Sequence, residues 1–423
     1  MATGKVDYNS DLIRSKWMTS KLVSDRAHSF WNPYTGKTPT SIIYQVTDGG
    51  CSAGKTVIFD FSGKLTGAGF KGAESGCAIG ETKRKFSDKL SVDMYSFYVD
   101  NGSKFNACLI GDLSLPQHSD SRSLLSDLWT RQKDQAIFDV LQGAAFSEDG
   151  GILGAGGLCG PTHIYDLGCG FEWNDLMYIE NAAKKGTNLV KAVNGMVSSI
   201  PAVKRMPLEG YRLQNGEPIY LAVIDNVMST KLRANPKYQT IKINADVRGD
   251  GNALISGHLG KESNVLYVEA PVFFGATKGK GTFNIITDTE VQFSGLRRYA
   301  HGPDNVQVWE GQAAFDAIEA KSIAEKTDIA KLTDPAAIKK AKADRDYMVY
   351  SRGLLLGAGA AMEGFGKMPI YEFEWTKFKK QSESMLEVIF NVKKTELTLE
   401  MGKDYDGKIT DIDFGVICLD MEN

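Results

Sequence analysis

The chain has 423 residues, a formal net charge of −3, 42% hydrophobic residues and 24% charged residues. These are ordinary values for a globular protein, and the length is enough for two or three domains. The slightly acidic balance argues against a basic nucleic-acid-binding protein but is compatible with one that encloses nucleic acid. Six scattered cysteines without a C-x-x-C pair favour a reducing compartment, and the polar start lacks the apolar core of a signal peptide. The longest apolar run, Gly353–Met362, is too short to span a bilayer, so we expect no membrane partner.

The N-terminal 40 residues read as an aromatic arm. Trp17, Phe30 and Trp31 stand among charged and polar residues with only weak helical periodicity. A segment that cannot bury its own aromatic side chains usually packs on another element or another chain. We therefore expect this arm to lie against another element of the protein or against another chain.

An extended hairpin is predicted after the arm. Following a short strand at Ser41–Val46, Thr56–Ser62 alternates with Val57, Phe59 and Phe61 on one face. Six glycines lie between Gly63 and Gly80, and the alternation then resumes and places Leu90, Val92, Met94, Ser96 and Tyr98 on one face. Because a hairpin is only marginally stable alone, a long one implies a partner surface.

A long helix is predicted at Ser119–Gly143. Ser119 or Asp120 can cap its N-terminus and Gly143 can end it, which gives a rod of roughly 35 Å. Its apolar stripe has three- and four-residue spacing and consists of Leu124, Leu125, Leu128, Trp129, Ala136, Ile137, Val140 and Leu141.

The rest of the chain mixes helices and strands. Predicted helices are Trp173–Lys185, a helix from about Asn226, a segment within Gln312–Asp346 broken near Pro335, and a small-residue helix within Tyr350–Gly366. Predicted strands are Ile219–Ile224, Val265–Val268, Phe283–Phe293, Met385–Lys393, Glu396–Glu400 and Lys408–Leu419.

One stretch imitates a phosphate-binding loop. Gly49–Thr56, GGCSAGKT, fits G-x-x-x-x-G-K-T, in which Lys55 would reach phosphate oxygens and Thr56 would hold Mg²⁺. That chemistry requires a helix directly after the lysine, whereas Val57–Ser62 has a strand pattern. The same residues also contain G-x-S-x-G, which needs a helix too. Two incompatible motifs in one stretch indicate a glycine turn.

No other cluster predicts chemistry. Cys159, His163 and Cys169 fit no standard zinc spacing and lack a fourth ligand, and the five histidines form no local group. We therefore predict no catalytic residue, no metal and no cofactor.

Several stretches, in this order, resemble one family. They are IRSKWMTSKL (Ile13–Leu22), GKTVIFDFSGKLTGAGFKGAE (Gly54–Glu74), DLWTRQKDQAIFDVLQG (Asp127–Gly143), IYLAVIDNVMSTKLRAN (Ile219–Asn235), NALISGHLGKESNVLYVEA (Asn252–Ala270), RGLLLGAGAAMEGFGK (Arg352–Lys367) and FGVICLD (Phe414–Asp420). The chain resembles tailed-phage major capsid proteins of the N-four-type family, which have the Hong-Kong-97-type fold. It departs from that family at Asp225-Asn226, where a proline usually follows the strand, and in the insertions 144–170 and 312–346.

The resemblance implies an α+β fold with five parts. They are an N-terminal arm (1–45), an extended hairpin loop with flanking strands (46–110), a peripheral domain (111–186) with the spine helix 119–143, an axial domain (187–365) with the insertion 312–346, and return strands to the peripheral domain (366–423).

The function that the resemblance implies is structural. The chain would assemble in the host cytoplasm into hexamers and pentamers of an icosahedral virion shell around double-stranded DNA, without sequence-specific binding. Its partners would be its own copies, the portal, and scaffold or decoration proteins. The expected assembly contacts are Trp17, Phe30, Trp31, Phe59, Phe61, Lys64, Lys71, Lys83 and Trp129. The alternatives are an encapsulin-like cellular compartment shell and a nucleotide-binding enzyme that uses Gly49–Thr56.

Overall fold

The computed structural model describes residues 29–38, 40–47, 56–62, 85–103, 117–143, 164–168, 170–171, 173–185, 210–214, 217–240, 260–262, 264–274, 292–303, 308–309, 313–376, 381–400 and 409–422. Its strands are β1 (Thr35–Gly36), β2 (Ile43–Thr47), β3 (Thr56–Ser62), β4 (Lys85–Ser91), β5 (Asp93–Ser103), β6 (Ile164–Gly168), β7 (Arg212–Gln214), β8 (Glu217–Ile224), β9 (Gly260–Glu262), β10 (Val265–Glu269), β11 (Val272–Phe274), β12 (Gln292–Ser294), β13 (Arg298–His301), β14 (Val308–Trp309), β15 (Met348–Leu356), β16 (Ala361–Thr376), β17 (Gln381–Lys394), β18 (Glu396–Glu400), β19 (Ile409–Asp413) and β20 (Val416–Glu422). Its helices are α1 (Gln117–Gln142), α2 (Trp173–Lys185), α3 (Asn226–Ala234), α4 (Ala313–Ala330) and α5 (Pro335–Ala343).

A five-stranded sheet carries α1 on one face. Its order is β1-β2-β16-β17-β5, with β16, β17 and β5 antiparallel and β2 parallel to β16. Successive side chains of a strand point to opposite faces. Along β17, Leu386, Val388 and Phe390 are therefore buried in the cluster that includes α1, while the residues between them are partly exposed. We call the face opposite α1 the outer face.

A larger sheet is covered on both faces. Its order is β14-β13-β15-β8-β10-β9, with β20 beside β15 and β6, and β7 beside β8. Every residue of β15 and β20 is buried. On β15, Leu354 and Leu356 belong to the cluster with α1, whereas Leu355 belongs to the cluster with α2 and α3. Burial on both faces explains the apolar runs Leu354–Leu356 of β15 and Val416–Leu419 of β20.

The predicted hairpin strands do pair. β3 and β4 run antiparallel, from Thr56 opposite Ser91 to Ser62 opposite Lys85, and residues 63–84 between them lie outside the described part. β4 continues through Val92 into β5, the edge of the five-stranded sheet. Leu90 and Val92 rest on β16 at Gly364, where an added Cβ would lie 2.9 Å from Leu90 Cδ2. The missing side chain at Gly364 thus lets the hairpin base approach the sheet closely.

The segment predicted as a helical insertion forms α4 and α5, with its break before Pro335. The Asp334 carboxylate caps α5 by accepting from the Ala336 N–H at 3.1 Å. Arg345 pairs with Glu422 and donates to Ser322 Oγ, and both partners are buried. These contacts tie the insertion to the last strand of the chain.

The prediction of a small-residue helix within Tyr350–Gly366 is wrong. This segment forms β15, a turn at Gly357–Ala360, and the start of β16. The small residues serve the turn and close strand packing: Gly359 has φ +65°, and a Cβ at Gly353 would lie 3.2 Å from the Val223 carbonyl oxygen. The leucines alternate between the two core clusters, and that tertiary burial overrides their helix preference.

The other predicted elements largely agree with the structure. α2, α3, β8 and β10 lie where predicted, whereas most of the predicted strand Phe283–Phe293 lies outside the described residues. α1 covers nearly the predicted range but begins at Gln117. Ser119 and Asp120 therefore lie inside its first turn, and the prediction that one of them caps the helix is wrong. The predicted segment Lys408–Leu419 forms two strands, β19 and β20. β6 and β20 both belong to the larger sheet, although the sequence predicted them in the peripheral domain and the return strands. The domain boundaries themselves stay a prediction.

Candidate functional site

Helix α1 connects the two sheets. Its buried face joins one continuous core with strands of both sheets. Trp129 stands edge-on to Phe390 of β17, with ring centroids 5.1 Å apart, and lies 6.1 Å from Phe97 of β5. Trp129 is 7% exposed, so its own chain already covers it. We therefore read α1 as the element that sets the relative position of the sheets.

The end of the arm packs on α1. Phe30 and Trp31 lie 5.4 and 4.7 Å from the ring of Phe138, and Trp31 is fully buried. Tyr34 extends the aromatic group to Tyr211 at 6.2 Å. Aromatic pairs at such distances stabilise beyond the area that they bury. This group fixes residues 30–34 of the arm against α1 and Tyr211.

Polar contacts reinforce the same point. Asp134 of α1 accepts hydrogen bonds from Ser29 Oγ at 2.8 Å and from the Phe30 N–H at 2.6 Å. Next to it, Lys133 Nζ lies 2.7 Å from Glu363 Oε1 on β16. Burial raises the pKa of Asp134 to about 6, against the lowering effect of these hydrogen bonds and of Lys133. Burial also raises the pKa of Glu363.

The C-terminal end of α1 is fastened to the larger sheet. Gln142, fully buried, donates to the Gly295 carbonyl at 3.0 Å and accepts from the Arg297 N–H at 2.7 Å. One turn earlier, Asp139 takes two hydrogen bonds from the Arg297 guanidinium, at 2.7 and 3.0 Å. A charge-assisted bidentate pair fixes orientation as well as distance. The helix end therefore cannot rotate without breaking several buried bonds.

A second buried ion pair lies beside this end. Arg352 of β15, fully buried, donates to both carboxylate oxygens of Asp420 at 2.7 and 2.8 Å and to the Gln142 carbonyl at 3.1 Å. Its Cζ is 4.3 Å from the ring centroid of Tyr299 and 5.6 Å from that of Tyr350. Burial favours a lower pKa for Arg352, but attraction to Asp420 and the hydrogen bonds hold the pKa well above its usual value. Burial also raises the pKa of Tyr350 to about 12, so both groups keep one protonation state.

The outer face of the five-stranded sheet is partly uncovered. Leu90 and Val92 of the hairpin base cover one end, whereas Met94 and Tyr98 further along are 63% and 68% exposed. The strand register places Met94 opposite Ile389 and Tyr98 opposite Met385 on β17. The exposed apolar residues continue on β16 with Met368 and Ile370. Exposed acidic residues border them: Asp100, Glu372, Glu374 and Glu383.

The structure places the sequence-predicted contact residues unevenly. Trp31 and Trp129 lie in the core of their own chain, and Phe30 packs against it. For Phe30 and Trp31 the covering surface is therefore another element of the same chain, which is one of the two alternatives that the sequence left open. Phe59 and Phe61 lie on β3, opposite Asp88 and Phe86. Trp17, Lys64, Lys71 and Lys83 lie outside the described residues. Whether these nine residues contact other copies stays a prediction.

Two functional features escaped the sequence reasoning. The pair Arg352–Asp420 joins residues 68 positions apart, and no local pattern predicts it. The exposed outer face could have been anticipated in part, because the alternation from Leu90 to Tyr98 already placed Met94 and Tyr98 on one face. Which end of that face is covered depends on the position of the hairpin base, which is a tertiary property.

The structure does not support the nucleotide-binding alternative. Thr56 begins β3, so a strand follows Lys55 where a phosphate-binding loop requires a helix. Across the described segments, no group of three potential metal ligands occurs, and Cys159, His163 and Cys169 lie outside those segments. Of the helices that the structure describes, none is long and apolar enough to cross a membrane.

The chain matches solved phage capsid structures along its whole length. The capsid of Ralstonia phage GP4 is 18% identical with a TM-score of 0.58, and the match covers 100% of this chain and 98% of that one. The acid-stable capsid of Helicobacter pylori bacteriophage KHP30 is 14% identical with a TM-score of 0.62, covering 100% and 99%. The cyanophage Pam1 capsid is 13% identical with a TM-score of 0.57, covering 99% of both chains. A search of curated proteins found no match.

A family comparison agrees with these structures. The model of phage capsid proteins matches residues 5–422. This match favours a viral shell over a cellular compartment shell and over a nucleotide-binding enzyme, and the family is one of structural proteins. The chain belongs to the phage capsid protein family, and it is a major capsid protein of the virion with the Hong-Kong-97-type fold.

Proposed function

We propose that copies of this chain associate into hexamers and pentamers that close an icosahedral shell around double-stranded DNA. The observation that carries this proposal is the stem formed by β3 and β4. These two strands pair only with each other among the described strands, and β4 continues along the chain into the edge strand β5. A two-stranded ribbon is marginally stable in water unless another surface covers it. A neighbouring copy can supply that surface in a closed shell, where the same contact recurs at every subunit.

The hairpin and the arm are the elements that reach neighbours in this proposal. The residues that would contact neighbouring copies are Phe59 and Phe61 of β3, Lys64, Lys71 and Lys83 of the segment after β3, and Trp17 of the arm. Burying an apolar side chain stabilises a contact by about 1.5–3 kcal/mol. Each such contact contributes a modest free energy, but a subunit that makes several of them at once is held far more tightly.

The outer face of the five-stranded sheet also takes part. Met94, Tyr98, Met368 and Ile370 form an apolar surface that a monomer would leave in water. The rigid position of α1 between the sheets would present this face and the hairpin at a fixed angle to each other. A fixed angle is what repeated copies need in order to close a shell of defined curvature.

The remaining partners follow from a shell that encloses a genome. The formal net charge of −3 suits a container that holds DNA without gripping it. A portal for the genome, and scaffold or decoration proteins, would contact the shell. We propose no catalytic step for the chain itself.

Replacing residues 63–84 by a short glycine turn tests the proposal. We expect the variant to fold, because β3 and β4 keep their pairing, but to form no closed particles when expressed with the scaffold. Lys331→Glu, a change at a 69% exposed side chain of the insertion, is a control that should assemble normally. Normal particles from the hairpin variant, seen by negative-stain microscopy, would overturn the proposed role of the hairpin.

A further inference from the structure

Two acidic side chains and one basic side chain lie buried where the arm contacts α1. Asp134 and Glu363 are both fully buried, and Lys133 is the charged group that faces them from α1. From the described part of the arm, which begins at Ser29, Asp134 accepts hydrogen bonds from two neutral groups, the Ser29 hydroxyl and the Phe30 amide. Glu363 of β16 opposes the ionisation of Asp134 electrostatically, and Lys133 favours it. Fully ionised, these three side chains together carry a net charge of −1 in a buried site.

The geometry can accept a proton without losing a bond. A neutral carboxyl at Asp134 keeps a carbonyl oxygen that accepts from the Phe30 N–H. Its O–H can donate to Ser29 Oγ, which acts as the donor when Asp134 is ionised. In addition, Glu363 Oε2 is buried with no hydrogen-bond partner among the described residues. Protonation therefore removes the buried charge while both attachments to the arm remain.

We propose that Ser29, Phe30, Lys133, Asp134 and Glu363 form a proton-dependent clasp that holds the arm more tightly in acid than in alkali. This inference goes beyond shell assembly, because it concerns the attachment of the arm within one subunit. Through this clasp, the pH of the surroundings would change how tightly the arm is attached to α1.

The direction follows from linkage. In the closed clasp, burial holds the pKa of Asp134 at about 6, whereas an open clasp returns the side chain to water and to a pKa near 3.8. The closed state therefore binds the proton more tightly, so closure strengthens as pH falls through 6 and weakens above it. With these two pKa values, the equilibrium constant for opening the clasp is about tenfold larger at pH 8 than at pH 5.

Hydrogen–deuterium exchange of the full chain tests the clasp. Overlapping peptides across residues 24–36 report the protection of the Phe30 amide, after correction for the intrinsic pH dependence of exchange. In the wild type we expect protection to fall about tenfold from pH 5 to pH 8. Asp134→Asn keeps an acceptor but cannot titrate, so its protection should be nearly the same at both pH values.

Three further variants separate titration from simple weakening. Ser29→Ala should lower protection at both pH values and keep the pH dependence, and Glu363→Gln should reduce that dependence. Asp127→Asn, a control carboxylate on the same helix, should behave as the wild type. Equal protection of the wild type at pH 5 and pH 8 would overturn the clasp even if Asp134→Asn failed to fold. An unchanged pH dependence in folded Asp134→Asn would overturn it as well.

Discussion

Asp420→Asn removes the charge that faces Arg352 while it preserves the shape of the side chain. The guanidinium would stay in a fully buried site, where its remaining close acceptors are the Gln142 carbonyl at 3.1 Å and one amide oxygen at position 420. The neighbouring rings of Tyr299 and Tyr350 cannot supply a full negative charge, because burial raises the pKa of both. The variant therefore leaves a buried charge without its counter-ion.

The expected loss is large for one substitution. Removing one partner of a buried ion pair costs about 3–5 kcal/mol, because the other charge remains desolvated. That is between about two and four powers of ten in the folding equilibrium. Replacing both charges, with Arg352→Met and Asp420→Leu together, removes the desolvation problem and should recover most of the loss.

Urea unfolding of the unassembled subunit, followed by circular dichroism, measures the effect. The matched control is Asp328→Asn, which breaks the pair with Lys331 whose side chains are 74% and 69% exposed. Exposed pairs contribute little, so the control should keep the wild-type midpoint. The same midpoint for Asp420→Asn and Asp328→Asn would refute the claim that the buried pair holds β15 and β20 to the end of α1.

Three further predictions concern the helix, the outer face and a thiol. Gln132→Pro removes a hydrogen bond inside α1, so it should lower the free energy of unfolding by about 3 kcal/mol and abolish assembly. Normal particles in a micrograph would exclude a rigid role for α1. Met94→Asp with Tyr98→Asp should leave the subunit's circular dichroism unchanged but prevent particle formation in a sedimentation assay, since both side chains are more than half exposed. Particles at the wild-type yield would show that the outer face stays in water. Burial raises the pKa of Cys418 to about 12, so we expect a thiol reagent to label it only when urea unfolds the chain. Rapid labelling of this thiol in the folded protein would contradict the prediction.

Local periodicity predicted the elements whose partners lie mostly on one face. α1 has an apolar stripe and a terminal Gly143 with φ 68°, so the helix and its C-terminal end could be predicted from sequence. Its start at Gln117 precedes the predicted caps Ser119 and Asp120. Between Thr56 and Ser62 the sequence of the hairpin stem places Val57, Phe59 and Phe61 on one face. In both cases the pattern of the segment itself carries the information.

Elements that are covered on both sides were harder to predict. β15 is buried at every position, so its run of leucines has no period that separates a strand from a helix. The pair Arg352–Asp420 depends on the register of β15 with β20, in which the two residues lie opposite each other. Register of distant strands is a tertiary property, and one chain without its fold does not reveal it.

The function was accessible through the order of the elements and not through any single motif. Gly49–Thr56 matches a nucleotide-binding pattern well, yet β3 follows it. The arm was predicted to pack on another element or on another chain, and Trp31 is buried against Phe138 in its own chain. A burial prediction from composition alone therefore could not separate contacts within the subunit from contacts between subunits.

Cryo-electron microscopy of the full chain, expressed alone and together with a scaffold protein, tests the central claim most directly. We expect closed icosahedral particles built of hexamers and pentamers, in which the hairpin that follows β3 lies over a neighbouring copy. A strictly monomeric protein that no co-expressed scaffold can assemble would contradict the account. So would a shell in which each hairpin folds back onto its own subunit.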